Sequence, residues 1–479
     1  MEIKDYEVVI GLEIHAELLT KTKIFCSCKS EFGAIPNTNI CPICMGMPGT
    51  LPKLNEKVVE YAVKAGLAMN CKISKDSKND RKNYFYPDLP KAYQISQYDK
   101  PLCQEGYVWI ETDASKKRIG IERIHIEEDA GKLSHDETDE GTVIDFNRAG
   151  VPLIEIVSKP DLRSAKEVNE YLKKIKQTLE YVGVSDCKMQ EGSLRADVNI
   201  SVRKIGDNNL GTRTEIKNMN SLRSIKRAIE YEAVRQIEIL ENGEEVSKNT
   251  LRWDDSLGMT YTMRDKEDAK DYRYIREPDL GQIRLSDEYI KNIQDKLEEL
   301  PDVRKERFIK EYKLSEKEAS IMTTSKVLAD FFEDASKECD NPKAVCNWLI
   351  SDVSRLLNEK GLEHKDIPFK TVYLAQLVSI IDEGVISQSI GKKVLEELFI
   401  NEREPETIVK ENGWSQISDQ DEIRKIVADI IICNKDSVLD YKNGKDRALG
   451  YLVGQAMKKT NGKANPKLLN KILLEELMN

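Results

Sequence analysis

No stretch of this chain approaches the roughly 18–20 consecutive apolar residues that a membrane-spanning helix needs. No helical membrane anchor is therefore expected. The first residues, Met-Glu-Ile-Lys-Asp, lack the basic-then-apolar order of a secretory signal, which leaves the cytoplasm as the expected compartment. A surplus of positive charge is missing too. The formal net charge is −10, which excludes a uniformly basic coat, so any nucleic acid must meet a local patch. Cysteine, at ten in 479 residues, is too sparse for a disulfide scaffold, and reduced thiols are expected. Gly-rich phosphate loops are also absent. There is no GxGxxG. Ala130-Gly131-Lys132 resembles the end of a Walker loop, but Ile126 stands where that loop needs glycine and Leu133 where it needs Ser or Thr. A chain of this kind that uses ATP does so without either loop.

What is present begins at Tyr6. Val8, Ile10, Leu12, Ile14, Ala16 and Leu18 recur at every second position, the period of a half-buried strand. Glu13, His15 and Glu17 then share the other face, roughly 6–7 Å apart. A carboxylate and an imidazole at that spacing can reach one divalent cation. Next come Cys26-Ser-Cys28 and, twelve residues on, Cys41-Pro-Ile-Cys44. Two close cysteine pairs match the ligand set of tetrahedral zinc, and four thiolates close its coordination sphere, so the expected role is a staple beside the first strand. Cys71, Cys103, Cys187, Cys339, Cys346 and Cys433 stand singly and read as small core residues.

Downstream, Pro48 to Pro52 breaks the chain, and Asn55 caps a helix expected to run to about Met69. Arg81 to Gln97 is aromatic, basic and twice interrupted by proline, so it cannot be regular throughout; a binding loop and a packed surface loop both remain open. From about Tyr107 to Lys217, several runs alternate apolar with ionisable residues. Ile124 and Ile126 flank His125 and Glu127, and Leu153 to Val157 is apolar but for Glu155. Ala196 to Val202 alternates with Arg195, Asp197, Asn199, Ser201 and Arg203, and Arg213, Glu215 and Lys217 share one side. These are expected to be strands of a largely antiparallel sheet with one ionisable face. Ser164 and Glu167 predict a capping box opening a helix to about Tyr181, and a second helix is expected from Ser221 to Glu241. After Pro278 the apolar spacing turns helical. The expected architecture is α+β: a sheet domain over 1–295 with the cysteine insertion near 26–44, an all-helical domain over 296–405, and a small helical tail over 406–479.

Any one of Glu13, Glu127, Glu155 and Glu215 alone would read as part of a solvated strand face. Together with His15 they place an acid on each of four strands, and hard oxygen donors with one imidazole suit Mg2+ or Mn2+. His125, His135 and His364 have no such company and are expected to be structural. Arg148, Arg195 and Lys217 are candidates to stabilise phosphate charge. Near the end, Lys442, Lys445, Arg447, Lys458, Lys459, Lys463, Lys467 and Lys471 meet only Asp446, a patch able to grip a phosphate backbone without reading bases.

Ile144-Asp-Phe-Asn-Arg-Ala-Gly-Val-Pro-Leu-Ile-Glu-Ile-Val-Ser-Lys-Pro160 closely resembles the signature of the family of B subunits of aspartyl/glutamyl-tRNA(Asn/Gln) amidotransferases. Val9 to His15, Arg81 to Pro87, His125 to Gly131, Gln190 to Arg195, Gly450 to Gln455 and Asn461 to Pro466 look like further blocks of that family, so the resemblance spans the chain. It implies a cradle domain with a glutamine synthetase-like sheet, followed by helical and tail domains that hold tRNA. It also implies a heterotrimer with an amidase, the A subunit, which frees ammonia from glutamine, and a small third protein, the C subunit. Residue by residue, Glu13, His15, Glu127 and Glu155 match the family's magnesium positions, and Glu215 a second-metal position. Cys26, Cys28, Cys41 and Cys44 match the zinc ligands of some members. The implied reaction is ATP- and Mg2+-dependent phosphorylation of the side-chain carboxylate of Glu-tRNA(Gln) or Asp-tRNA(Asn), then amidation by ammonia. No insertion separates the sheet part from the helical part, which disfavours the archaeal relative with a synthetase-like insertion. Two other readings remain open: a zinc-stapled tRNA-binding scaffold without chemistry, and an amide ligase acting on a small molecule.

Overall fold

Ile10, Leu12, Ile14 and Ala16 are buried, and they alternate with Gly11, Glu13, His15 and Glu17 along the strand Tyr6–Glu17, β1. The computed structural model describes residues 5–112, 115–135, 141–265, 272–415, 420–442, 445, 447–460 and 464–478. Around β1 it gathers β2 (Lys72–Ile73), β3 (Cys103–Glu111), β4 (Lys116–Glu128), β5 (Pro152–Ser158), β6 (Leu194–Lys204), β7 (Thr214–Lys217), β8 (Asn249–Asp254) and β9 (Met259–Asp265). The sheet order is β9-β8-β7-β6-β1-β5-β4-β3-β2, so β1 lies at its centre. Every pairing is antiparallel except β7 with β8. The sheet is mixed but antiparallel-dominated.

Three helices close the apolar face. α1 (Glu56–Ala68), α2 (Ala165–Tyr181) and α3 (Leu222–Glu241) bury Val58, Ala62, Val168, Leu172, Ile175, Ile225 and Ile229 in one core with the even-numbered residues of β1. Each has a side-chain N-cap, from Asn55, Ser164 and Ser221 respectively. The capping box foreseen for α2 is only half made. Ser164 accepts from the Glu167 amide, but the Glu167 carboxylate accepts from the Arg163 amide and Lys117 instead. Over the other face, Asp80–Asn83 and Tyr93–Ser96 pair as a hairpin, with Ile275–Arg276 alongside. The aromatic segment is thus two short strands around an irregular tip.

The chain forms two compact units, Met1–Leu300 and Pro301–Asn479. Leu297 and Leu300 pack on the sheet core, which carries the first unit a few residues past the helix Asp287–Asp295. The second unit holds two separate helical cores. One runs from Phe308 to Val409 with Trp414 against it, and the other from Ile423 to Leu477. Among the described residues no helix is long and apolar enough to cross a membrane.

Candidate active site

The ionisable face of the sheet is built by register. His15 on β1 lies opposite Glu155 on β5, and Glu155 lies opposite His125 on β4. Glu127 follows two residues after His125, on the same face. His15 Nε2 lies 3.4 Å from Glu127 Oε1 and 3.5 Å from Glu155 Oε2, and His125 Nε2 lies 3.3 Å from Glu155 Oε2. Ser96, from the hairpin above, donates to Glu127 Oε2 at 3.2 Å. Burial disfavours charge on these groups, but the opposed carboxylates and imidazoles outweigh it. His15 rises to about 10 and His125 to about 9, while both carboxyls fall well below their usual range. One ligand atom from each of His15, Glu127 and Glu155 lies within 4.8 Å of the others, which fits a shared hard cation. With the His15 side chain still 21% exposed, the group is reachable from outside.

Glu13 does not join this group. Its carboxylate accepts from Asn199 Nδ2 at 2.9 Å, because its cross-strand neighbours are Val157 and Asp197 rather than another ligand of the triad. Lys217 sits between Asp197 at 2.5 Å and Glu215 at 2.8 Å, so it is already matched to two acids. Arg148 donates to the carbonyls of Ala130 (3.0 Å) and Gly131 (2.7 Å) and lies 3.5 Å from Asp129. It therefore shapes a turn, and the Ala130-Gly131-Lys132 segment presents carbonyls there. Arg195, opposite His15 on β6, is held by Asp129, while its buried Nε has no partner. Burial and the neighbouring Asp129 raise Glu17 to about 7.

His125 is the correction to the sequence reading. Its lack of company in the sequence predicts a structural role, yet it faces both acids; its spacing of two from Glu127 was the available signal. Asp129, Asp197, Ser96 and Lys82 were also missed. The Lys82 ammonium lies over the rings of Tyr272 (4.8 Å) and Tyr84 (5.6 Å) and is drawn to Glu127, a proximity made by chain-distant segments and hidden from any local pattern.

The four sulfurs of Cys26, Cys28, Cys41 and Cys44 can all lie within 4.8 Å of one another. A tetrahedral ion with 2.3 Å bonds to sulfur would space them about 3.8 Å apart, so the set fits one soft cation. Cys44 is lowered to about 5 by hydrogen bonds from Cys26 and the Cys41 amide and by nearby Lys23, whereas burial pushes Cys28 up to about 11.

Comparison with known proteins adds to this geometry. Residues 8–291 match the GatB/GatE catalytic domain, and residues 330–477 match the GatB domain. This chain belongs to the GatB family. Among its relatives, a protein of Thermoanaerobacter pseudethanolicus is 59% identical over 98% of this chain and 99% of its own length. One of Caldicellulosiruptor saccharolyticus is 59% identical over 99% of each, and one of Clostridium tetani is 53% identical over 99% of each. All three are named as the B subunit of aspartyl/glutamyl-tRNA(Asn/Gln) amidotransferase. In this GatB chain the catalytic-domain match contains the triad and the four cysteines, and the second match contains the basic tail.

The basic residues of that tail are unequal. Lys445 pairs with Asp440 at 2.8 Å and Lys459 with Asp429 at 2.7 Å, while Arg447 and Lys458 are exposed at either end of the helix Arg447–Lys459. Lys463 lies outside the described residues, as does the side chain of Lys467.

Proposed function

We propose that this chain is the B subunit of a tRNA-dependent amidotransferase, a carbon–nitrogen ligase of translation with glutamine as amide donor. The observation that carries the reading is the convergence of His15, Glu127 and Glu155 from three adjacent strands on one reachable point. His15, Glu127 and Glu155 would hold Mg2+ there, with Glu13 and Glu215 on the flank for a second ion. Bound Mg2+ supplies positive charge against the phosphates of ATP. The side-chain carboxylate of the glutamate or aspartate esterified to tRNA attacks the γ-phosphorus, and ADP leaves. Ammonia then attacks the acyl phosphate, and phosphate departs as the amide forms. Arg195, half-exposed and held by Asp129, would meet phosphate charge, and Arg148 and Lys217 would support it by fixing the acids around it. Cys26, Cys28, Cys41 and Cys44 would bind structural Zn2+.

The parts follow the same logic. Residues up to about 295 form the catalytic cradle, with a glutamine synthetase-like sheet. Residues to about 405 and then the tail hold tRNA, with Lys445, Arg447, Lys458, Lys459, Lys463 and Lys467 as the basic contacts. An amidase (the A subunit) and a small third protein (the C subunit) complete a cytoplasmic heterotrimer. The scaffold reading is disfavoured because it leaves the triad without a purpose.

The deciding experiment is ATP hydrolysis by the assembled heterotrimer, with and without Glu-tRNA(Gln), in Mg2+ and in EDTA. Hydrolysis should need both the misacylated tRNA and Mg2+. Binding of tRNA without stimulated hydrolysis would favour the scaffold.

A further inference from the structure

We propose that the cysteine knuckle is a positioning device for the loop 144–150, and that Asn37, Asn39 and Lys23 are the residues through which it sets Arg148 and Arg195 beside the triad. For the identity of the knuckle's metal, the inference rests on the proposed function.

The contacts form a continuous path. Asn37 lies in the segment between the two cysteine pairs, at a φ of 60°. Its amide donates to Asp145 Oδ1 (3.0 Å), its Nδ2 donates to the Ile144 carbonyl (3.0 Å), and its Oδ1 accepts from the Phe146 amide (2.8 Å). The Asn39 amide donates to Asn147 Oδ1 (2.8 Å), and Asn147 Nδ2 donates to the Ile35 carbonyl (2.7 Å). Lys23 adds a link from beneath. Its side chain is fully buried, with Nζ 3.8 Å from Cys44 Sγ and 3.4 Å from the Phe146 carbonyl. Among the described residues no carboxylate pairs with it. A buried ammonium without a counter-charge is costly, and a cluster of thiolates around a dication, with two net negative charges, supplies one.

Within the loop, Arg148 grips the carbonyls of Ala130 and Gly131 and approaches Asp129, and Asp129 holds Arg195 opposite His15. The knuckle itself contributes none of the groups facing the triad. Its effect on the chemistry therefore passes through backbone and side-chain placement, and small displacements of positioned groups are expensive in rate.

The test variant is Asn37→Gly in the assembled enzyme. Glycine adopts the positive φ without strain, so the turn survives while both side-chain bonds vanish. Hydrogen exchange resolved by peptide, zinc content by mass spectrometry, and kcat and KM for ATP would be measured together. Zinc content and the protection of β1 should be unchanged. Peptides covering 144–151 should exchange at least about tenfold faster, and kcat should fall about tenfold with KM for ATP within about twofold. Asn147→Ala, which cuts the link from the loop side, should reproduce the pattern and serves if the first variant loses β1 protection. Wild-type protection of 144–151 in either folded variant, or faster exchange with an unchanged kcat, would overturn the proposal. Wild-type protein stripped by chelator should show the same peptides exposed; unchanged protection there would also overturn it. A wild-type chain without zinc would instead strike the metal assignment, and the two variants would still decide the coupling.

Discussion

In the helical unit, Arg304 reaches Asp330 at 2.6 Å and Glu333 at 2.7 Å, Arg307 also binds Glu333, and Lys343 pairs with Glu318. On the sheet of the first unit, Glu127 and Glu155 converge with two imidazoles and Ser96 as their polar partners. Both regions use buried or half-buried carboxylates. In the helices each of these acids has a permanent cation, so the arrangement is complete by itself. On the sheet, cross-strand register stacks acids and histidines side by side, so the partners of these acids are titratable imidazoles rather than permanent guanidinium or ammonium groups. On the proposed function, the difference separates charge that holds a fold together from charge that is kept available for a ligand.

The largest expected effect comes from turning the sheet cluster neutral at its centre. Glu155→Gln should lower amide formation at least about a thousandfold, because it removes one oxygen donor and one negative charge from the cation position. Affinity for tRNA and the melting temperature should change little; near-normal transamidation would take Glu155 out of the mechanism. The converse change in the helices should touch stability and spare the chemistry. Arg304→Met leaves Glu333 to Arg307 alone and Asp330 to Lys326, and should cost about 1–2 kcal/mol in denaturant unfolding of the second unit, with ATP hydrolysis per folded molecule unaltered. An activity loss beyond the folded fraction would blur the distinction between the two regions.

A smaller effect is expected at the surface. Lys458→Glu should weaken tRNA binding roughly threefold to tenfold and flatten its dependence on salt, since one exposed cation contributes one phosphate contact at most. An unchanged slope of affinity against salt would mean that Lys458 is merely solvated. The smallest is a pH effect in the helices. Hydrogen bonds from Lys343 and Ser315 hold Glu318 down to about 2. The stabilisation is therefore present above the unfolded carboxyl value of about 4.3 and is lost as pH falls from there through about 2. Acid titration of stability should show a loss of under about 1 kcal/mol in that window, absent in Glu318→Gln.

Much of the site was legible because strands advertise their faces. The alternation along Tyr6–Glu17 separated His15 from Ile14 and Ala16, and that separation holds in the structure. The caps Asn55, Ser164 and Ser221 were readable for a similar reason, since an N-cap is a local event. His125 was equally visible by spacing, and went unused because its partner Glu155 lies thirty residues on. Glu13 shows the opposite limit of a local pattern. It sits on the right face, but the neighbours set by register turn it towards Asn199.

The sequence alone determined the α+β class, the ionisable face of the central strand and the pairing of the four cysteines into one cluster. These follow from spacing within a few residues. Only the tertiary structure decided that His15, Glu155 and His125 form one row, that Arg148 is spent on a turn while Arg195 keeps a free donor, and that the knuckle is stitched to loop 144–150. A period of two says which face a side chain takes, but not which strand lies beside it. Strand order and register are chosen by the burial of Ile10, Leu12, Ile14 and their partners on the opposite face, and a slip of one residue would have turned every acid inward.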